Sequence, residues 1–276
     1  MKIATVGKGG SGKTTLAGTL ARIFAERGQR IVAIDGDPNP NLALTLGMTP
    51  QAADQITYIP PSIMTLVKDE AGNSRLEATM SNASIMDKFA VRANDRIDLI
   101  VMGKPAHGTA GTGCMCSSHR AVRGLIAELT DIGEHTITDM EAGLEHLKRG
   151  TARNVDMMLV VAEPYYRSLE AALRTCELAR ELNIPFVKVV SNKARSDEDR
   201  AAIATFCAKN GLEVIGEVPF DEAFVRAEQQ GLSPYDHAPG SVGIGAIRAI
   251  ADAIAMLAAT PPPPASVAGH GAGATA

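Results

Sequence analysis

The stretch Gly7-Lys8-Gly9-Gly10-Ser11-Gly12-Lys13-Thr14-Thr15 constrains this chain more than any other segment. It follows an apolar start, Ile3 to Val6, and runs into a helical pattern marked by Leu16, Leu20, Ile23 and Phe24. A strand, a glycine-rich turn and a helix in that order provide the setting of a phosphate-binding loop. Glycines let the backbone curl so that successive N–H groups converge on phosphate oxygens, and the helix adds its positive N-terminal end. In the G-x-x-x-x-G-K-T spacing, Lys13 reaches the β- and γ-phosphates and the Thr14 hydroxyl sits on Mg²⁺. Gly9, Gly10, Ser11, Gly12 and Thr15 complete the phosphate cradle.

Beyond the loop, short apolar runs alternate with amphipathic stretches. Strands are expected at 2–6, 30–35, 97–102, 135–140, 155–162, 186–191 and 213–218. Helices are expected at 14–27, 118–130, 144–152, 167–182, 197–209, 221–229 and 240–258. That rhythm predicts an α/β fold, a mostly parallel central sheet with helices on both faces. Residues 50–95 break the rhythm with Pro60-Pro61, Gly72-Asn73 and scattered polar residues, and read as an irregular insertion with short helices, suited to partner recognition. One nucleotide-binding domain over 1–259 is expected, followed by a Pro/Gly/Ala-rich tail over 260–276 of disordered composition.

Composition narrows the partners. A net charge of −4 and a pI near 5.9 argue against nonspecific nucleic-acid binding, which needs a basic face. No apolar run approaches the ~20 residues of a membrane span, and the tail lacks a basic amphipathic helix, so no membrane partner is expected. The chain enters a strand directly, without a charged-then-apolar leader. Four cysteines in 276 residues do not make a disulfide scaffold. A cytoplasmic protein is the expectation.

Lys8 makes the loop K-G-G-S-G-K-T-T, which resembles the deviant Walker A motif of the P-loop NTPase class that includes MinD, ParA, ArsA and the nitrogenase iron protein. The resemblance implies an ATP-dependent homodimer in which Lys8 reaches the partner's nucleotide. Ser11 stands where that class has Val or Ile. Asp35-Gly36-Asp37-Pro38 resembles the switch I element D-x-D-P, which implies that Asp37 orients the attacking water. Asp35 then either contacts Mg²⁺ indirectly or braces the loop. Ile137-Thr138-Asp139-Met140-Glu141-Ala142-Gly143 resembles Walker B with switch II: Asp139 would hold a Mg²⁺-bound water, and the Gly143 amide would sense the γ-phosphate. Asn192-Lys193-Ala194-Arg195 has Arg195 where a guanine-reading N-K-x-D places a carboxylate, so ATP is favoured over GTP. In this class Asn192 would contact adenine, and Pro219-Phe220-Asp221 would form the second wall; Asn192 also reads as a plain strand-end turn residue.

Gly111-Thr112-Gly113-Cys114-Met115-Cys116 is the second informative segment. Thiols at C-x-C spacing strain a shared disulfide but can face one metal. The start of a helix near Ser118 favours thiolates. Two ligands fall short of a closed thiolate site, and a two-fold dimer supplies four. Two idle cysteines in a glycine-rich loop remain the alternative. Cys176 and Cys207 fall on apolar helix faces and read as core, while His107, His119 and His146 are weaker candidates.

G-K-G-G-x-G-K-T-T, D-G-D-P, G-x-G-C-x-C and the run Asp139–Ala152 together resemble the CooC-type ATPases, nickel-insertion accessory proteins of carbon monoxide dehydrogenase. That resemblance covers most of residues 1–235. It implies Ni²⁺ or Zn²⁺ held by Cys114 and Cys116 across the dimer, and an apo carbon monoxide dehydrogenase as client. An electron-transfer ATPase of the iron-protein type, or a ParA/MinD-like positioning switch, are the rival readings; residues 139–153 contain no cysteine for the former.

Overall fold

A computed structural model describes residues 1–37, 39–60, 63–68, 74–102, 135–140 and 155–260. Eight strands form one sheet: β1 (Lys2–Gly7), β2 (Ile31–Asp35), β5 (Val91–Asn94), β6 (Ile97–Val101), β7 (His135–Asp139), β8 (Met157–Ala162), β9 (Phe186–Ala194) and β10 (Val214–Pro219). Their spatial order is β10-β9-β8-β1-β7-β2-β6-β5. Every described neighbour pair is parallel except β5 with β6. β3 (Met64–Lys68) and β4 (Ser74–Ala78) pair separately as an antiparallel ribbon.

A sheet covered on both faces must be apolar on both, because alternate side chains point opposite ways. β8 shows this: Met157, Leu159 and Val161 enter one core, and Met158, Val160 and Ala162 enter the other. The first core is closed by α1 (Lys13–Glu26) and by α9 (Val242–Ala258), through Leu16, Leu20, Ile247 and Ile250. The second is closed by α5 (Tyr166–Glu181) and α6 (Asp197–Lys209), where Cys176 and Cys207 are buried free thiols. A third cluster joins Val32, Ile34 and Ile100 to Ile85 and Phe89 of α4 (Asn82–Phe89).

The expected strands and long helices within the described residues lie within two residues of their expected ends, except β9, which runs three residues further, to Ala194. The segment 50–95 differs. Besides α3 (Pro50–Asp54) and α4 it contains the β3–β4 ribbon, and β5 joins the main sheet as an antiparallel edge. Unlike the equally short β2 and β6, these four- and five-residue strands have no contiguous apolar run, and so few alternations do not identify a strand. Two short helices, α2 (Leu42–Thr45) and α8 (Pro234–His237), lie outside the expected elements because each is a single turn, and α7 (Glu222–Gln229) is the remaining helix among the described residues. The expected helices at 118–130 and 144–152, and the tail beyond 260, lie outside the described residues.

α2 sits directly on α1 because position 18 has no side chain. A Cβ there would lie 2.2 Å from Thr45 Oγ1 and 2.6 Å from Thr45 Cβ. Helix propensity favours alanine over glycine by about 1 kcal/mol, but overpacking a tight contact costs about 1–3 kcal/mol. The clash is expected to win: Gly18→Ala should lower the unfolding free energy in denaturant titration, and a stabilised variant would contradict this packing.

Candidate nucleotide site

The parallel register brings the acids together. Asp35 ends β2 and Asp139 ends β7, and the two are direct partners across the ladder. β7 also pairs with β1, whose carboxyl end feeds residues 8–12 into α1. Chain order departs from β1 to opposite sides at this point, where open α/β sheets place their ligands.

The loop is shaped by glycine. Gly10 and Gly12 have φ of 80° and 93°, and Gly12 starts α1. A Cβ at Gly12 would also lie 2.4 Å from Asn192 Nδ2, so close approach excludes a side chain there as well. The Ser11 N–H donates to Lys8 O at 3.0 Å and Leu16 N–H to Gly12 O at 3.0 Å. Ser11 is fully buried, and its hydroxyl packs where a Cβ at Gly7 would stand, 2.6 Å away. Glycine at position 7 is therefore what admits serine at position 11.

Below the loop lies an acid floor. The Lys13 ammonium donates to Asp37 Oδ2 at 3.0 Å and lies 4.0 Å from Asp139 Oδ1. The Thr14 hydroxyl donates to Asp139 Oδ2, and the Thr5 hydroxyl to Asp139 Oδ1 at 3.2 Å. Asp35 braces the loop: its Oδ2 accepts from Asn41 N at 2.9 Å and Leu42 N at 2.8 Å, and its Oδ1 accepts from Asp37 N at 3.2 Å. Of the two roles open to Asp35, this contact set is the bracing one.

The electrostatics follow from burial. Desolvation raises the Asp35 pKa to about 7, helped by the charge of Asp139, while the N–H donors from Leu42 and Asp37 pull it back. Desolvation likewise raises Asp139 to about 6 against the pull of Lys13 and of the Thr14 and Thr5 hydroxyls. Burial works against the charged form of Lys13, yet Asp139, Asp37 and Asp35 hold its pKa above the ordinary lysine value. One cation facing three carboxyls leaves the floor short of positive charge. A hard cation with few protein ligands, such as Mg²⁺ carried in by phosphates, suits that deficit. The Thr14 hydroxyl and the Asp139 carboxyl beside it are an oxygen pair of the kind such an ion takes.

A cleft of about 470 Å³ opens above the floor. Gly9, Gly10, Gly12, Lys13, Thr14, Thr15 and Asp37 line one end, and Asn192, Pro219, Phe220 and Asp221 line the other. Ser11, Asp35 and Asp139 lie beneath it, and Lys8 is exposed beside it. Asn192 is committed to the loop, donating from Nδ2 to Ser11 O at 2.6 Å. Asp221 is committed too. It accepts from Ala223 N at 2.8 Å and Gly243 N at 2.9 Å, capping α7 and tying it to α9. Gly143, Cys114, Cys116, His107, His119 and His146 lie outside the described residues.

Two parts of the cleft were given no role in the sequence analysis. Lys193 donates from Nζ to Gly10 O and pairs with Glu163 Oε1 at 3.3 Å, with its own φ at 62°. The Asn-Lys pair at a strand end was the signal available for it. The outer wall of Leu44, Thr45, Phe224, Leu232 and Pro234 carries no motif at all.

A family model described as the CobQ/CobB/MinD/ParA nucleotide binding domain matches residues 2–235. The carbon monoxide dehydrogenase accessory protein CooC of Rhodospirillum rubrum is 39% identical over 246 residues, 87% of this chain and 91% of that protein. An uncharacterized ATP-binding protein of Methanocaldococcus jannaschii is 36% identical over 237 residues, covering 83% and 88%. Among solved structures, the septum site-determining protein MinD with Mg-ADP from Pyrococcus horikoshii superposes with a TM-score of 0.67 at 18% identity, covering 94% of this chain and 97% of that one. The latter agreement concerns the fold.

The acid floor has a pH signature. Between the ordinary carboxyl pKa and about 7, folded Asp35 keeps a proton that the unfolded chain releases, so stability falls as pH rises through that window. The unliganded protein should therefore lose stability between pH 5.5 and 8. Asp35→Asn should shrink that loss by about 2 kcal/mol in denaturant titrations at the two pH values; identical losses would contradict the assignment.

Proposed function

The chain belongs to the CobQ/CobB/MinD/ParA nucleotide-binding family, whose members are ATPases, and we propose that within it this protein is a carbon monoxide dehydrogenase accessory ATPase that handles nickel as a homodimer. The observation that supports hydrolysis is the Lys13–Asp37 pair, which sets the loop after β2 against the phosphate loop. The client and the metal rest on the relation to CooC.

Phosphoryl transfer needs alignment and charge neutralisation more than covalent help. The loop amides from Gly9 to Thr15 receive the phosphates. Lys13 exchanges its carboxylate partner for β- and γ-phosphate oxygens, because a multiply charged phosphate chain outcompetes one carboxylate. That exchange releases Asp37, which then accepts a hydrogen bond from the attacking water and orients it. Thr14, and Asp139 through a water, would hold Mg²⁺, which would supply positive charge against the phosphates. Asp35 keeps the arriving switch I loop in register through its three N–H donors.

Lys8 supplies the intersubunit element. It is exposed at the mouth of the loop, where a second copy could receive it. Docking two copies would bring Cys114 and Cys116 of each into one four-thiolate site for Ni²⁺ or Zn²⁺. Thiolates suit both ions, and affinity order alone does not separate them. Hydrolysis then loosens the dimer and with it the metal site, which couples ATP turnover to delivery.

Three variants test the parts separately. Asp37→Ala should bind ATP normally and lose hydrolysis by about 10²-fold or more; full turnover would remove Asp37 from the chemistry. Lys8→Ala should bind ATP but stay monomeric in light scattering with Mg-ATP. Replacing Cys114 and Cys116 by Ser should abolish Ni²⁺ retention in equilibrium dialysis while leaving ATP binding intact, and undiminished retention would defeat the metal assignment.

A further inference from the structure

We infer that Arg195 is a positioning residue for the nucleotide base, acting through the ring of Phe220. Its guanidinium carbon stands 3.5 Å from the Phe220 ring centroid. The other four cation–ring contacts among the described residues span 4.8 to 6.0 Å. Among the described residues the Arg195 side chain makes no ion pair or hydrogen bond, so the stack is its one specific engagement there. Phe220 lines the cleft and Arg195 does not. The arginine therefore contacts the ring from outside the lining of the cleft.

The backbone builds this stack. From Gly216 opposite Val190 to Val218 opposite Asn192, β9 and β10 run in register, but Pro219 pairs with Ala194, so Lys193 is an extra, unpaired residue on β9. Its φ of 62° is the left-handed conformation of such a bulge. The insertion shifts the residues after it by one position, which re-aims their side chains. Asn192 keeps its place against the phosphate loop. Phe220 N–H then donates to Ala194 O at 3.0 Å, and Arg195 N–H to Asp199 Oδ2 at 2.9 Å. The two strand ends are laced together immediately before the two side chains that stack.

A half-buried phenyl ring beside a polar cleft has competing rotamers. A planar cation on one face restricts it to one of them, leaving the opposite face for the ligand. The arginine thus replaces, at the same position of the loop, the carboxylate by which N-K-x-D proteins read guanine, and serves the base indirectly. A guanidinium over the ring also draws electron density toward its own side, which suits stacking of an electron-rich purine on the other.

This inference rests on Pro219–Asp221 forming the base wall, and the experiment separates the two. Mg-ADP binding is measured by calorimetry for wild type, Arg195→Ala, Arg195→Lys, Phe220→Ala and the Arg195→Ala/Phe220→Ala pair, with pyrophosphate as the ligand lacking a base. Arg195→Ala is expected to weaken Mg-ADP roughly three- to ten-fold, with Arg195→Lys intermediate. Pyrophosphate affinity and the unliganded melting temperature should stay at wild-type values. In the Phe220→Ala background, removing Arg195 should change Mg-ADP affinity less than about two-fold. Should Phe220→Ala weaken Mg-ADP while Arg195→Ala does not, only the positioning role falls. An undiminished Arg195 effect in the Phe220→Ala background would mean that the arginine acts other than through the ring. Wild-type affinity in Phe220→Ala would remove the base wall, and the inference with it.

Discussion

One ammonium group facing a buried acidic floor organises this molecule. Asp35 and Asp139 end neighbouring parallel strands and are both fully buried, an arrangement that would be costly if both were ionised without a counter-charge. Lys13, the first residue of α1, supplies that charge, and the Thr14 and Thr5 hydroxyls and the N–H groups of Asp37, Asn41 and Leu42 satisfy the remaining oxygen positions. The strand register, the glycine turn and the switch I loop all converge on it. A phosphate chain arriving there meets a lysine already desolvated and aimed, so little reorganisation is needed at the moment of binding.

The upper half of the cleft is built by different means. It has few charges and depends on helix ends and close approaches. Asp221 holds α7 and α9 through two backbone amides, and a Cβ at Gly243 would lie 2.6 Å from Phe224 Cζ. α2 is fastened at its C-terminal end by Ser233 Oγ to Thr45 O and by Arg22 Nη1 to Leu46 O, with Arg22 also paired to Asp236. The wall formed by residues 231–234 and the helix that follows the Asp35–Asn41 loop are thus parts of one hydrogen-bonded unit. The two ends of the cleft share a mechanical frame.

The legible portions of the chain were those with long or contiguous signals. Strands such as Met157–Ala162 carry six buried apolar residues in a row, and α1 carries a full helical stripe, so their ends were readable to within two residues. The phosphate loop was readable because its spacing lies within nine consecutive residues. The β3–β4 ribbon, β5, α2 and α8 were not, since they span about one helical turn or two strand alternations and lack the contiguous apolar run that marks the equally short β2 and β6. At the site, the sequence indicated which residues line the cleft more faithfully than what they touch. Asn192 and Asp221 both line the cleft, but one bonds the loop backbone and the other caps a helix.

Primary structure alone settled the class of chemistry, because a glycine turn with lysine and threonine at set offsets can cradle a phosphate wherever a strand precedes it and a helix follows. It also settled the α/β layering, since burial on both faces of a parallel sheet writes itself into runs of apolar residues. Which acid faces which, and which side chain stands behind the Phe220 ring, were decided by strand register and by a single extra residue at Lys193. Those are long-range facts: residues 35 and 139, or 195 and 220, meet only when intervening segments pack, and no local pattern carries their distance.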